Sequence, residues 1–87
     1  MTETNQFAAH VGLDWADKKH DVCVQFKNGE RVFDVIEHTA EALDAWLTEL
    51  HQKVKGRIAI ALELKKGPVV YALQKYPFIT VFPVHAL

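Results

Sequence analysis

The chain lacks disulfide bonds, a large net charge and a membrane-spanning segment. Its one cysteine, Cys23, excludes a disulfide framework and fits a reducing compartment. The net charge of -1 at pH 7 gives no overall electrostatic argument for a nucleic-acid partner. No apolar run is long enough to span a membrane, and the polar start, Met1 to Gln6, lacks the apolar segment of a signal peptide. These absences predict a cytoplasmic protein without a membrane partner, in which any nucleic-acid contact is confined to a local patch.

What is present is the composition of one small globular domain. The 87 residues are 49% hydrophobic and 24% charged, which is ordinary for a folded protein, but so short a chain builds only a modest core. Residues 1–7 are predicted to be a disordered lead-in, and residues 8–87 to form the domain. The chain stops at Leu87 directly after an apolar stretch, so we expect a domain cut short.

The first half of the sequence predicts a three-stranded antiparallel meander. Residues 8–14 are apolar enough for a central strand, and residues 20–27 alternate between apolar and polar side chains. Asn28-Gly29 is a strong hairpin signal because both residues tolerate a positive φ. Residues 31–38 then form the returning strand.

The second half predicts alternating helices and strands. Thr39 can cap a helix that carries one apolar stripe, and Gly56 is predicted to end this helix. That stripe consists of Leu43, Trp46, Leu47, Leu50 and Val54. A buried strand over residues 57–63, a short helix over 68–76 and a last strand over 78–82 follow. The order β-β-β-α-β-α-β predicts an α/β fold: one mixed sheet with helices against its faces.

Two of the predicted strands end in a carboxylate, Asp14 and Glu63. The first strand is central in this topology, and the strand after the first helix can pair parallel beside it. Both carboxylates then lie at the edge where open α/β sheets bind ligands. Their repulsion favours a divalent ion, and oxygen donors favour Mg²⁺ or Mn²⁺. Such ions serve phosphodiester cleavage and strand transfer, so Asp14 and Glu63 are predicted to be metal ligands and catalytic residues.

Cationic side chains flank the same edge on two loops. Lys18, Lys19 and His20 follow the first acid, and Lys65 and Lys66 follow the second. Together they predict a local basic rim for a phosphate backbone, with His20 either contacting phosphate or orienting a ligand. Each feature also has an ordinary interpretation, because acids cap turns at strand ends and loop lysines are commonly solvated charges.

Three blocks of the sequence carry a resemblance to a known family. The first runs from Val11 to Val22 and contains Asp14, the second contains Ala61-Leu62-Glu63 and then Lys66-Gly67-Pro68, and the third is Val81 to Val84. In order and spacing they resemble the RuvC-like domain of transposases of the insertion-sequence 110 family, related to the Piv DNA invertase. Lys65-Lys66-Gly67 departs from the Thr-Gly pair of many members.

The resemblance implies an RNase H-like (RuvC-like) fold, here truncated after the fifth strand. It also implies a DEDD set of acidic residues that binds Mg²⁺ for DNA recombination, in which Asp14 matches the first acid and Glu63 the second. The remaining acids, and a second domain that supplies a catalytic serine, would lie beyond Leu87, so the fragment alone is expected to be inactive. The implied partners are DNA, an element-encoded guide RNA and further copies of the protein, in a prokaryotic cytoplasm.

Three alternatives stay open on the sequence alone. A phosphoryl-transfer domain of the actin and sugar-kinase class also opens with a strand, an Asp and a hairpin, but usually follows the Asp with a glycine and a small hydroxylated residue, where Trp15-Ala16-Asp17 stands here. A stand-alone Holliday-junction nuclease needs acids in a later helix. A non-catalytic fragment would self-associate through its apolar last strand.

Overall fold

The predicted order of elements is confirmed by the structure, a computed structural model that describes residues 7–16, 18–63 and 69–84, with the backbone alone for Glu63, Val69, Val70, Tyr71 and Pro83. The elements are β1 (Ala9–Asp14), β2 (Lys19–Phe26), β3 (Arg31–Glu37), α1 (Ala40–Val54), β4 (Ile58–Glu63), α2 (Val69–Gln74) and β5 (Ile79–Val84). They form a five-stranded mixed sheet in the order β3-β2-β1-β4-β5. No helix of these residues is long and apolar enough to cross a membrane.

Strand β1 lies at the centre of the sheet, with two strands on each side. It pairs antiparallel with β2 and parallel with β4, so that Leu13 lies opposite Val22 on one side and Leu62 on the other. The β2–β3 hairpin turns through Gly29, whose φ of 91° is the left-handed conformation that glycine adopts without strain. Because β1 and β4 run in the same direction, their C-terminal ends meet at one edge of the sheet.

One hydrophobic core lies between the sheet and the two helices. Helix α1 begins at the cap residue Thr39, whose hydroxyl accepts a hydrogen bond from the Ala42 amide, and it buries Leu43, Leu47 and Leu50. These side chains share the core with alternate residues of β1, β2 and β4 and with Leu73 of α2. The Tyr76 hydroxyl donates to Asp44 of α1 at 2.6 Å, which ties the end of the α2 turn to α1. Both helices therefore cover the same face of the sheet.

The arrangement of the helices corrects one prediction. The sequence predicts helices against both faces, but no helix among the residues that the structure describes covers the second face. Phe33 of β3 is 76% exposed there, and Val35, Phe82 and Val84 are also exposed. The sequence pattern predicts apolar strands, but it does not say which face each helix covers.

Two predicted boundaries also differ from the structure. Phe7, assigned to the disordered lead-in, is buried and makes an edge contact with Phe82 at 5.8 Å between ring centroids. At the end of α1, the left-handed residue is Lys55, with a φ of 54°, and not Gly56. Gly56 is instead a point of close approach, because a Cβ there would lie 2.9 Å from the Cβ of Ala8.

Candidate active site

The uncovered face of the sheet contains a trough of about 450 Å³. Its floor lies close to the backbone, because Gly12 of β1 has no side chain and Ala61 of β4 has only a methyl group. Phe33 and Val84, on the two outer strands, line its sides. The trough is thus a groove along the central strands, walled by apolar side chains.

Two carboxylates line this trough at the C-terminal end of β1. Asp14 is the last residue of β1, and its Cα partner across the antiparallel ladder is Asp21 of β2. Both are exposed and lie on the same face of the sheet. Side chains directly opposite each other in such a pair have Cβ atoms about 4.5–5.5 Å apart, and like charges there are destabilising. The pair is therefore a place where a cation would be stabilising.

Asp21 is not among the metal ligands that the sequence pattern predicts. The signal lay in the alternation of the two strands. Once Leu13 and Val22 are taken as core partners, the next residue along β1 and the preceding residue of β2 must face each other on the opposite side.

Glu63 has its backbone at the predicted place. It follows Leu62, which is the Cα partner of Leu13, just as Asp14 follows Leu13. The two acids therefore end neighbouring parallel strands at one edge of the sheet. The Glu63 side chain lies outside what the structure describes, and the described side chains contain no group of three or more metal-donating residues. A metal shared by Asp14 and Glu63 stays a prediction.

His20 differs from the prediction of a phosphate contact, because its side chain is fully buried at 0% exposure. Its ring stacks on Trp15 with the centroids 3.5 Å apart. Its Nδ1 accepts a hydrogen bond from the Ala16 amide at 2.9 Å, and its Nε2 lies 3.1 Å from Nδ1 of His38. Burial and, to a lesser extent, the neighbouring His38 hold the pKa of His20 below its ordinary value. A buried, neutral ring cannot serve as the predicted cationic rim.

The lysines of the first loop remain accessible. Lys18 and Lys19 are exposed beside the acid edge, which is the edge of the sheet where β1 ends at Asp14 and β4 at Glu63. The Lys18 carbonyl accepts a hydrogen bond from the His38 amide at 3.0 Å. Lys65 and Lys66 lie outside the described residues, so their predicted place on the rim stays a prediction.

The five-stranded mixed sheet with a central first strand defines an RNase H-like fold. Similar architecture occurs in the foamy viral protease-reverse transcriptase, solved with double-stranded DNA (12% identity, TM-score 0.55) and with an RNA/DNA hybrid (14% identity, TM-score 0.53). Each match covers 95% of this chain but only 20% and 16% of those longer chains, and at such identity the likeness shows the fold alone.

The family follows from the sequence of this domain. The family model of IS110 DEDD transposases matches residues 11–87, which includes both predicted acids and nearly the whole chain. The chain belongs to this transposase family. A comparison with curated proteins gives no match.

Proposed function

We propose that this chain is the N-terminal catalytic portion of a DEDD transposase, which cleaves and rejoins DNA with divalent metal during transposition of an insertion element. The observation that carries the proposal is the position of Asp14 at the end of the central strand, facing Asp21 and beside the strand end at Glu63, within a chain of this family. The family match also favours this function over the sugar-kinase alternative.

The donor chemistry fits Mg²⁺ or Mn²⁺. Asp14 and Asp21 offer carboxylate oxygens in opposition, and Glu63 adds a third carboxylate from the neighbouring strand. Asp14 and Glu63 would hold the ion, with Asp21 as a supporting acid. When bound, a divalent ion supplies positive charge that stabilises the anionic phosphate during displacement. We infer that residues 1–87 alone do not complete the reaction, because the resemblance assigns the remaining acids to positions after Leu87.

A Mn²⁺ titration followed by NMR line broadening tests the metal site. Wild type is compared with Asp14→Asn and Glu63→Gln, and Glu49→Gln on the exposed side of α1 is the matched control. We expect broadening centred on Asp14 and Asp21 amides, lost in the first two variants and unchanged in the control. Broadening spread over scattered surface acids, or unaffected by both substitutions, would overturn the proposal.

The proposed nucleic-acid partner is DNA, held by a rim of Lys18, Lys19, Lys65 and Lys66. The exposure of Lys18 and Lys19 beside the acid edge supports this, as do the two structures of the viral protein of similar fold in complex with nucleic acid. Binding of a short DNA duplex is measured against salt for Lys18→Gln and Lys19→Gln. Each is expected to reduce the salt slope by about 1, whereas Lys27→Gln, in the turn at the opposite end of β2, leaves it unchanged.

Two further partners are proposed: an element-encoded guide RNA, which the family resemblance suggests, and a second copy of the chain. The exposed apolar side chains of Phe33 and Phe82 on the uncovered face support self-association. Sedimentation equilibrium tests it, since a molecular mass that stays monomeric at every concentration would contradict it.

A further inference from the structure

We infer that His20 is a positioning residue for the acid edge: its ring fixes the backbone that leaves β1 after Asp14 and thereby sets how Asp14 is presented to a divalent ion. This inference rests on the proposed metal-dependent function. His20 is buried on the far side of the sheet and does not contact the ion. Its effect on metal binding is indirect, through the position of Asp14.

His20 contacts both residues that follow Asp14, namely Trp15 and Ala16. Strand β1 ends at Asp14, so Trp15 and Ala16 lie beyond the strand. The Trp15 indole stacks on the His20 ring at 3.5 Å with only 9° between the planes, and the Ala16 amide donates to Nδ1 at 2.9 Å. The side chain therefore holds the direction in which the chain leaves the catalytic end of β1.

The hydrogen bonds also fix the tautomer of His20. A backbone amide can only donate, so Nδ1 must be unprotonated, and a neutral ring then carries its proton on Nε2. This N–H donates to Nδ1 of His38, 3.1 Å away, at the connection between β3 and α1. His38 is in turn tied to the β1–β2 turn through its own amide, which donates to the Lys18 carbonyl. The segment that follows β1 is thus linked by hydrogen bonds to the connection between β3 and α1.

A histidine that merely fills space would need the stacking on Trp15 but not an acceptor at the Nδ1 position. Asparagine and glutamine separate the two ring nitrogens, because the amide group of Asn falls near Nδ1 and that of Gln near Nε2. His20→Asn keeps an acceptor for the Ala16 amide, whereas His20→Gln removes it. Both substitutions are polar and lose the ring. His20→Asn keeps the bond to Ala16 and loses the bond to His38, whereas His20→Gln does the reverse, so the pair of variants shows which of the two bonds positions the acids.

The experiment measures two quantities on the 87-residue chain: hydrogen-exchange protection of the Ala16 amide without metal, and Mn²⁺ affinity by line broadening at Asp14. We expect His20→Gln to lose protection at Ala16 and to bind Mn²⁺ about 10-fold more weakly, as found for partners that orient metal ligands. His20→Asn should retain both to within about twofold. His51→Gln, on α1, is the control for loss of a histidine.

The outcomes separate this inference from the proposed function. If wild type binds Mn²⁺ at Asp14 and both His20 variants bind equally well, the positioning role is overturned and the metal site stands. If wild type does not bind Mn²⁺ there, the proposed function fails and takes the inference with it. If His20→Gln does not fold, the tautomer decides: a long-range ¹H–¹⁵N spectrum of wild type must show His20 protonated at Nε2, and protonation at Nδ1 contradicts the inference.

Discussion

The two faces of the sheet have opposite characters, and β1 shows both within one strand. Its residues Ala9, Val11 and Leu13 are buried beneath the helices, whereas the intervening residues are exposed. The helix-covered face holds the core, including the fully buried Leu47. The uncovered face holds the trough and the facing acids Asp14 and Asp21. Stability and candidate chemistry are therefore assigned to opposite sides of the same strand.

This division has an energetic reason. Apolar burial drives folding, whereas two opposed carboxylates oppose it unless a cation or partner compensates them. Keeping the acids on the exposed face leaves them solvated in the absence of metal, so their repulsion is screened. The comparison predicts that substitutions on the two faces affect different measurements.

The largest effect is expected from the helix-covered face. Leu47→Ala removes a side chain with 0% exposure from the centre of α1 and should lower the free energy of unfolding by about 2–5 kcal/mol. Phe33→Ala, on the uncovered face, is the control and should change it by no more than about 0.5 kcal/mol. Urea unfolding measures both. Equal losses would mean that the uncovered face is packed in solution.

A pair of glycines gives the next contrast. A Cβ at Gly56 would lie 2.9 Å from the Cβ of Ala8, whereas a Cβ at Gly12 would meet nothing within 4 Å. Gly56→Ala should therefore destabilise by about 1–3 kcal/mol through overpacking. Gly12→Ala should be neutral or stabilising by up to about 1 kcal/mol, because it removes the entropic cost of glycine in a strand. Thermal unfolding of both variants decides, and a destabilised Gly12→Ala would show that the trough is closed.

The buried ring of His20 makes the stability of the helix-covered face depend on pH. Its pKa is lowered from 6.5 in the folded protein, so the unfolded chain binds this proton more readily. The contribution of His20 to stability is complete above pH 6.5 and declines as the pH falls below it toward the folded pKa. We expect urea midpoints to fall on acidification in wild type and to fall less in His20→Asn. His51→Gln is the control, and an equal decline in His20→Asn would contradict the assignment.

The sequence was sufficient for what depends on local patterns and topology. Apolar alternation and Asn28-Gly29 predicted the hairpin, the helix stripe predicted the face that α1 buries, and the element order placed Asp14 and Glu63 on adjacent strand ends. These predictions need only the period of a strand or helix, the positive φ that Asn28-Gly29 tolerates, and the handedness of a crossover.

What could not be predicted depends on contacts between distant segments. The burial of His20 requires His38, 18 positions further along the chain, and the stacked Trp15. The prediction that Gly56 ends α1 followed glycine's usual role there, but Ala8, from the start of the chain, requires the missing side chain at that position. A propensity rule depends on a residue and its neighbours in sequence, and it contains no information on the distant segment that packs against them.

The smallest effect tests whether the two helices form one layer on the covered face. Tyr76→Phe removes the hydroxyl that donates to Asp44 at 2.6 Å and should cost about 0.5–1.5 kcal/mol at neutral pH. Burial, with the Asp44 carboxylate, raises the pKa of Tyr76 to about 12, from 10.0 in the unfolded chain. The contribution of this hydroxyl is therefore complete below pH 10 and is lost between pH 10 and 12. Urea unfolding of wild type and Tyr76→Phe should converge as the pH rises through that range. A difference that persists unchanged would mean that the hydroxyl stabilises the layer by packing alone, without its bond to α1.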